Sequence, residues 1–248
     1  MFNFKKAEHP RRLTLRVLAA LLSYPDAQLR QALPELSRAL DEERALSASR
    51  LAELHALMRE LGRADAYETE ARYVETFDRG RASSLHVFEH VHGDSRDRGP
   101  AMVDLLQTYE RAGLKLEPTE LPDHLTVMLE FASTQPPAIA REFLAEVAHI
   151  VNTVFSTLLS RGSPYASVIA AVLELAGERP QAVAAVPDEP VDDTWAEPPA
   201  FDGCASRGQS RPDAPQPVHI VRRKPASNYA SNPTSNPASN PAARGATP

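Results

Sequence analysis

The stretch His86-Val-Phe-Glu89-His90 reads H-x-x-E-H, an inverted zinc-peptidase pattern, and His92 follows at once. On a helix, His86 and His90 stand one turn apart with the Glu89 carboxylate between them. That is the donor set of a small zinc hydrolase. Such a site also needs a third protein ligand, an open position for water and partners that hold the imidazoles. Here the third ligand would be a glutamate on another helix, and the chain has too many for the test to discriminate. The candidate helix is about nine residues long before Gly93, and the charged run Asp94-Ser-Arg96-Asp-Arg98 follows it. The alternative is a short amphipathic helix with Leu85 and Phe88 inward and the histidines at its margin or exposed.

Other chemistries are excluded more simply. Cys204 is the single cysteine, so neither an internal disulfide nor a Cys-rich zinc site is available. A thiol-poor chain fits a reducing compartment, and the expectation is cytoplasmic. No glycine loop has phosphate-cradling spacing. The net charge is −6, which argues against nucleic acid, whose binding favours a clustered basic face. No cofactor is expected. No segment approaches the ~18 apolar residues of a membrane span, so stable membrane insertion is not expected. Pro10-Arg11-Arg12 superficially suggests a twin-arginine signal, but Arg16 interrupts the apolar run and no A-x-A site follows.

The elements that would position these residues are helical throughout. The pattern predicts helices at about 10–23, 26–42, 48–61, 66–78, 84–92, 97–112, 122–134, 138–161 and 164–176. Gly62, Gly93, Gly113, Gly162 and Gly177 each follow such a run, as left-handed C-caps do. Asp65-Ala-Tyr-Glu68 has capping-box spacing. Pro122 and Pro164 fit first helical positions. Pro34 falls inside the second run, where a kink or split is expected. The 138–161 run carries a wide stripe from Ile139 to Leu159 and is expected to be one long helix near the centre.

The expected fold class is all-α: a single compact helical bundle over 1–177, then a disordered tail over 178–248. Thirteen of the 22 prolines lie from Pro180 onward, and a Ser-Asn-Pro repeat closes the chain. Such a composition does not repay the entropy of folding. Trp195, Phe201 and Val218–Val221 are isolated apolar points for transient docking. No 34- to 47-residue repeat suggests a solenoid.

Three segments carry a resemblance. They are Tyr73-Val-Glu-Thr-Phe77-Asp with the following Arg79–Leu85; Gly93–Met102 with Tyr109–Leu114; and Glu120-Leu-Pro-Asp123-His124-Leu through Phe131. Together they resemble the NarJ family of nitrate reductase assembly chaperones, which belong with the TorD-like molybdoenzyme chaperones. The likeness covers about residues 10–176. It implies an all-helical fold, no enzymatic activity, and a cytoplasmic chaperone. The implied partner is the catalytic (molybdenum) subunit of nitrate reductase, bound by its N-terminal segment. The chaperone would hold the apoenzyme open for molybdenum cofactor insertion and delay membrane docking. In that family the residues at His86 and His90 are not a metal motif.

A basic, apolar partner segment suits a groove between helices with an acidic surround. The expected peptide-binding residues are Tyr73, Phe77, Glu120, Asp123 and His124. Each has a plainer role beside it. Asp123 in a first helical turn stabilises the helix dipole without any partner. Tyr73 and Phe77, one turn apart, can be core. Arg96 and Arg98 fit a solvated loop. His124 is placed to change charge near neutral pH.

Overall fold

The computed structural model describes residues 12–93, 95–117 and 120–183. Among these, ten α-helices and one 3-10 turn form an all-α fold. The first, α1 (Arg12–Leu21), buries Leu15, Val17, Leu18 and Leu21. Its first amides have no intrahelical acceptor. The Glu43 carboxylate supplies one, accepting from Leu13 N–H at 2.9 Å and Thr14 N–H at 2.5 Å. An anion at a helix N-terminus also complements the dipole.

Helix α2 (Ala27–Glu43) starts on Asp26, whose Oδ1 accepts from Leu29 N–H at 2.8 Å. It is one unsplit element with Pro34 inside it. Proline costs the bond to Arg30 O, but Leu29, Leu33, Leu36 and Leu40 still bury together, so packing holds the element across the gap. Helix α3 (Ala48–Arg63) runs through Gly62 and ends on Ala64. The expected glycine stop is therefore absent. Gly62 lies opposite the Leu33 side chain instead, within the helix. Helix α4 (Ala66–Phe77) follows, with Asp65 Oδ1 accepting from Glu68 N–H at 3.2 Å as the spacing predicted.

After the 3-10 turn Arg81–Ser83 come α5 (Val87–His92), α6 (Arg98–Arg111) and α7 (Leu125–Thr134). Helix α7 starts three residues later than expected, and Pro122 lies in the preceding loop. The expected 138–161 helix is two: α8 (Pro137–Glu146) and α9 (Ala148–Ser160), bent by 67° at Val147. Its wide stripe is the sum of two narrower faces aimed differently. Ala140 and Leu144 of α8 are buried, as are Ile150, Val151, Val154 and Leu158 of α9. Ile139 and Leu159, the ends of the stripe, are exposed.

The centre belongs instead to α10 (Ala166–Ala176), which contacts α1, α3, α8 and α9. Val168 through Leu173 are all buried. A helix apolar all round is a core helix, and Ala170 and Ala171 let its neighbours approach closely. Pro164 precedes it in a turn rather than opening it. Gly177 ends α10 at φ +88°, with the Arg141 guanidinium packed where a side chain would be.

A second, smaller apolar cluster adjoins this core through Phe88 and Phe143. Leu105 and Tyr109 of α6 meet Val127 and Phe131 of α7, with Leu114, Leu116, Phe88 and Phe143 at its edges. Among the described residues no single helix is long and apolar enough to cross a membrane; α8 and α9 reach that length only together and are sharply bent. Past α10, Gln181 is clasped by Asn152 through two hydrogen bonds of 3.0 and 2.8 Å. The rest of the expected tail, with Trp195, Cys204 and the Ser-Asn-Pro repeat, lies outside the described residues, as do Arg11 and Asp94.

Candidate functional site

The loop Glu120–His124 and the start of α5 form one junction. Backbone bonds close it: Val87 N–H to Asp123 O at 3.0 Å and Leu125 N–H to Leu85 O at 2.9 Å. They make an isolated antiparallel bridge between His86 and His124. Asp123 sits at its centre, fully buried. Its Oδ2 accepts from Phe88 N–H at 3.2 Å and faces Arg98 Nη2 at 3.5 Å, while its Oδ1 accepts from His86 Nδ1 at 3.3 Å. One carboxylate thus joins α5, α6 and the loop before α7. Arg98, expected in a solvated loop, is the first residue of α6 and half-buried on this carboxylate; Arg96 is exposed.

The junction pulls the H-x-x-E-H pattern apart. His86 is the N-cap of α5, outside the helix, so it shares no helical face with His90. His90 Nε2 donates to Ser84 O at 2.8 Å. Glu89 accepts from Ser84 Oγ at 2.6 Å. Each candidate ligand is engaged elsewhere. Among the described residues no group of three His, Cys, Asp or Glu side chains converges as a metal site.

His124 packs edge-on against the His86 ring at 4.8 Å and hydrogen-bonds Thr126 Oγ1 at 2.6 Å. Burial, then the neighbouring His86, push its pKa down to about 4, while Asp123 acts in the opposite direction. It is therefore neutral at pH 7 and does not titrate near neutrality.

Tyr73 and Phe77 belong to another region. Both are buried, in a cluster of rings with Tyr165; Tyr24 packs edge-on against Tyr73. Tyr73 OH donates to Leu22 O at 2.7 Å. Burial raises its pKa well above the ordinary tyrosine value. Glu120 is exposed.

The sequence reading passed over the surface beside Glu120. Tyr109, Leu114, Leu116, Val127 and Phe131 line an open cleft of about 160 Å³ between α6 and α7. Tyr109 is fixed there by its OH, which donates to Pro122 O at 2.7 Å. Glu130 stands on the rim. Partial desolvation, then the charge of Glu120, raise its carboxyl pKa; Arg16 opposes the shift. One signal was available: Leu114-Lys-Leu116 alternates apolar residues in a non-helical segment just before the acidic loop.

Helices α6 and α7 thus frame an apolar cleft whose lining carries Glu130 and Lys115 as its charged residues. Comparison with known proteins shows the family. Residues 24–171 match the family described as nitrate reductase delta subunit. The chain is 41% identical over 185 residues to the nitrate reductase molybdenum cofactor assembly chaperone NarJ of Escherichia coli K12, covering 73% of this chain and 78% of that one. It is 35% identical over 182 residues to a NarJ relative of Bacillus subtilis, covering 71% and 96%. A crystal structure of an Archaeoglobus fulgidus protein assigned to redox enzyme maturation aligns with a TM-score of 0.48 at 20% identity, over 72% of this chain and 99% of that one. The chain belongs to the nitrate reductase delta subunit family. Both NarJ relatives are assembly chaperones, which supports a chaperone rather than an enzyme.

Proposed function

We propose that this protein is a dedicated cytoplasmic chaperone for the catalytic, molybdenum-bearing subunit of a respiratory nitrate reductase. It grips the N-terminal segment of that subunit before maturation. It holds the apo form open while the molybdenum cofactor enters the client, and it delays membrane docking until insertion is complete. The cofactor is cargo of the client, and no step of its chemistry is assigned to this chain.

The 41% identity to a named assembly chaperone over 185 residues carries this reading. The apolar cleft, with Glu130 on its lining and Glu120 within electrostatic reach, supports the N-terminal segment as ligand, since an apolar helix carrying a basic residue is complementary to it. Of the five nominated residues, Glu120 is the one we assign to direct contact. Asp123 and His124 hold the loop that carries it, and Tyr73 and Phe77 brace α4 from inside.

Co-purification from cells grown by nitrate respiration is the test. The expected bound polypeptide is the immature catalytic subunit, and removing its first ~15 residues, the size of a helix-in-groove ligand, should abolish capture. Recovery of the truncated subunit in equal yield would overturn the N-terminal assignment. Normal cofactor loading of the client in cells lacking this chain would overturn the chaperone role.

A further inference from the structure

The α6–α7 cleft has a size and a charge that restrict what enters it. Its 160 Å³ compares with the ~150 Å³ apolar cavities that take up benzene, so it seats one leucine or phenylalanine side chain. Its walls are mainly apolar, and the cluster behind them meets the main core through Phe88 and Phe143 and includes no α10 residue among those described. Occupying it therefore need not disturb α10. Helix α6 is tied near both ends, by Arg98 to Asp123 and by Tyr109 to Pro122 O, so the walls stand ready without a partner.

The rim is electrostatically unbalanced. Glu130 lines the cleft within reach of the charge of Glu120, and Glu117 and Glu120 are exposed in the adjoining segment. Lys115 is the cation lining the cleft, and Arg16 approaches Glu130 from α1. An arriving cation relieves the repulsion between the two glutamates. An anionic segment adds to it.

We propose that the α6–α7 cleft is the anchor point for the client's N-terminal helix: one large apolar side chain enters between Tyr109, Leu114, Leu116, Val127 and Phe131, and a lysine or arginine on the same helix face sits against Glu120 and Glu130. This rests on the chaperone reading above. Residues three or four apart share a helix face at about 5–6 Å, which matches an apolar anchor beside a charged rim. The ligand motif is an aromatic or leucine residue with a basic residue at i+3 or i+4. Losing one buried anchor of this size weakens binding on the order of 10- to 100-fold.

The experiment uses the full chain and a fluorescent peptide of the first ~15 residues of the nitrate reductase catalytic subunit from the same organism, followed by anisotropy at low salt. Thr134 lies on the exposed rim, so Thr134→Trp fills the cleft without touching the core. It is expected to weaken the peptide at least ~10-fold with an unchanged melting temperature. Leu116→Gln, at a half-buried position outside any helix, serves the same purpose should the tryptophan variant not fold. The double variant Glu120→Lys/Glu130→Lys should lose the native peptide and bind a peptide whose basic residues are changed to glutamate. Equal affinity of the native peptide for wild type and all variants overturns the location and leaves the chaperone reading standing. Absence of binding to the wild type overturns both. A wild-type dimer that Thr134→Trp dissociates would assign the cleft to self-association and overturn the proposal.

Discussion

Replacing Asp123 with alanine tests whether this residue is a structural clip. The carboxylate is fully buried and joins three elements through Phe88 N–H, His86 and Arg98. Removing one partner of a buried ion pair costs about 3–5 kcal/mol when the other charge stays buried. Arg98 and His86 keep 26% and 33% of their side-chain exposure, so water takes up part of that loss. The Phe88 amide loses a charged acceptor, worth about 1.5–3 kcal/mol. These losses overlap, and we expect a net destabilisation of about 2–4 kcal/mol. For a domain of this size about 3 kcal/mol lowers Tm by roughly 6–12 °C. Asp123→Asn keeps the shape and an acceptor but not the charge, so it should lose less than alanine. The backbone bonds Val87 N–H to Asp123 O and Leu125 N–H to Leu85 O remain in both variants, so the fold persists. The loosened part is α5 and the start of α6, read as faster amide exchange at Phe88. Urea unfolding of wild type, Asn and Ala variants measures the series. An alanine variant within about 0.5 kcal/mol of wild type, the range of an ordinary surface substitution, would refute the clip.

Other outcomes follow from named groups. The folded-state pKa of His124 lies below its unfolded value of 6.5, so the unfolded chain binds the proton more tightly. Stability from this group is present above pH 6.5 and is lost as pH falls toward 4, by about 2 kcal/mol at pH 5; urea midpoints at pH 7 and 5 should differ less in His124→Gln than in wild type, where His86 and Asp123 remain beside the ring. Gly177→Ala places a side chain at φ +88° against the Arg141 guanidinium and should cost about 1–2 kcal/mol or more in thermal unfolding. Tyr109→Phe removes the bond to Pro122 O and should cost about 1 kcal/mol by urea unfolding. A chelator should leave the melting curve of untagged protein unchanged; stoichiometric zinc lost in His86→Ala would contradict the bonding seen around Ser84 and Asp123.

Local signals carried most of the fold. Helix faces, the Asp65 cap and the positive-φ glycines at 93, 113, 162 and 177 all operate within a turn or two of chain, so they are legible in sequence. The break at Val147 is not. No glycine or proline marks it, and it arises because α8 and α9 pack in different directions around α10. Glu43 capping α1 spans about thirty residues and is equally invisible locally. The H-x-x-E-H pattern is not a helical ligand pair for a related reason: its residues bond across the chain, His86 to a carboxylate 37 residues away, and His86 stands outside the helix. In the candidate site, Glu120 and Asp123 looked alike in sequence because each flanks Pro122. Only the long-range bond to Phe88 distinguishes the buried one from the exposed one.

That distinction governs how recognition and stability divide along one short loop. A carboxylate whose acceptor positions are taken by Phe88, His86 and Arg98 has little capacity left for a ligand. Any gain from a new cation would be offset by breaking bonds already made. Glu130 is in the opposite state, since burial and then the charge of Glu120 raise the cost of ionising it until a cation arrives. On the proposed reading, a basic ligand gains binding energy at Glu130 and Glu120 and not at the Asp123 junction. Substitutions at Glu120 or Glu130 should change affinity with little effect on melting, and substitutions at Asp123 should change melting first and affinity only as the loop loosens. A peptide affinity that tracked Asp123 but ignored both rim glutamates at matched stability would reverse these roles and place the contact on the buried side of the loop.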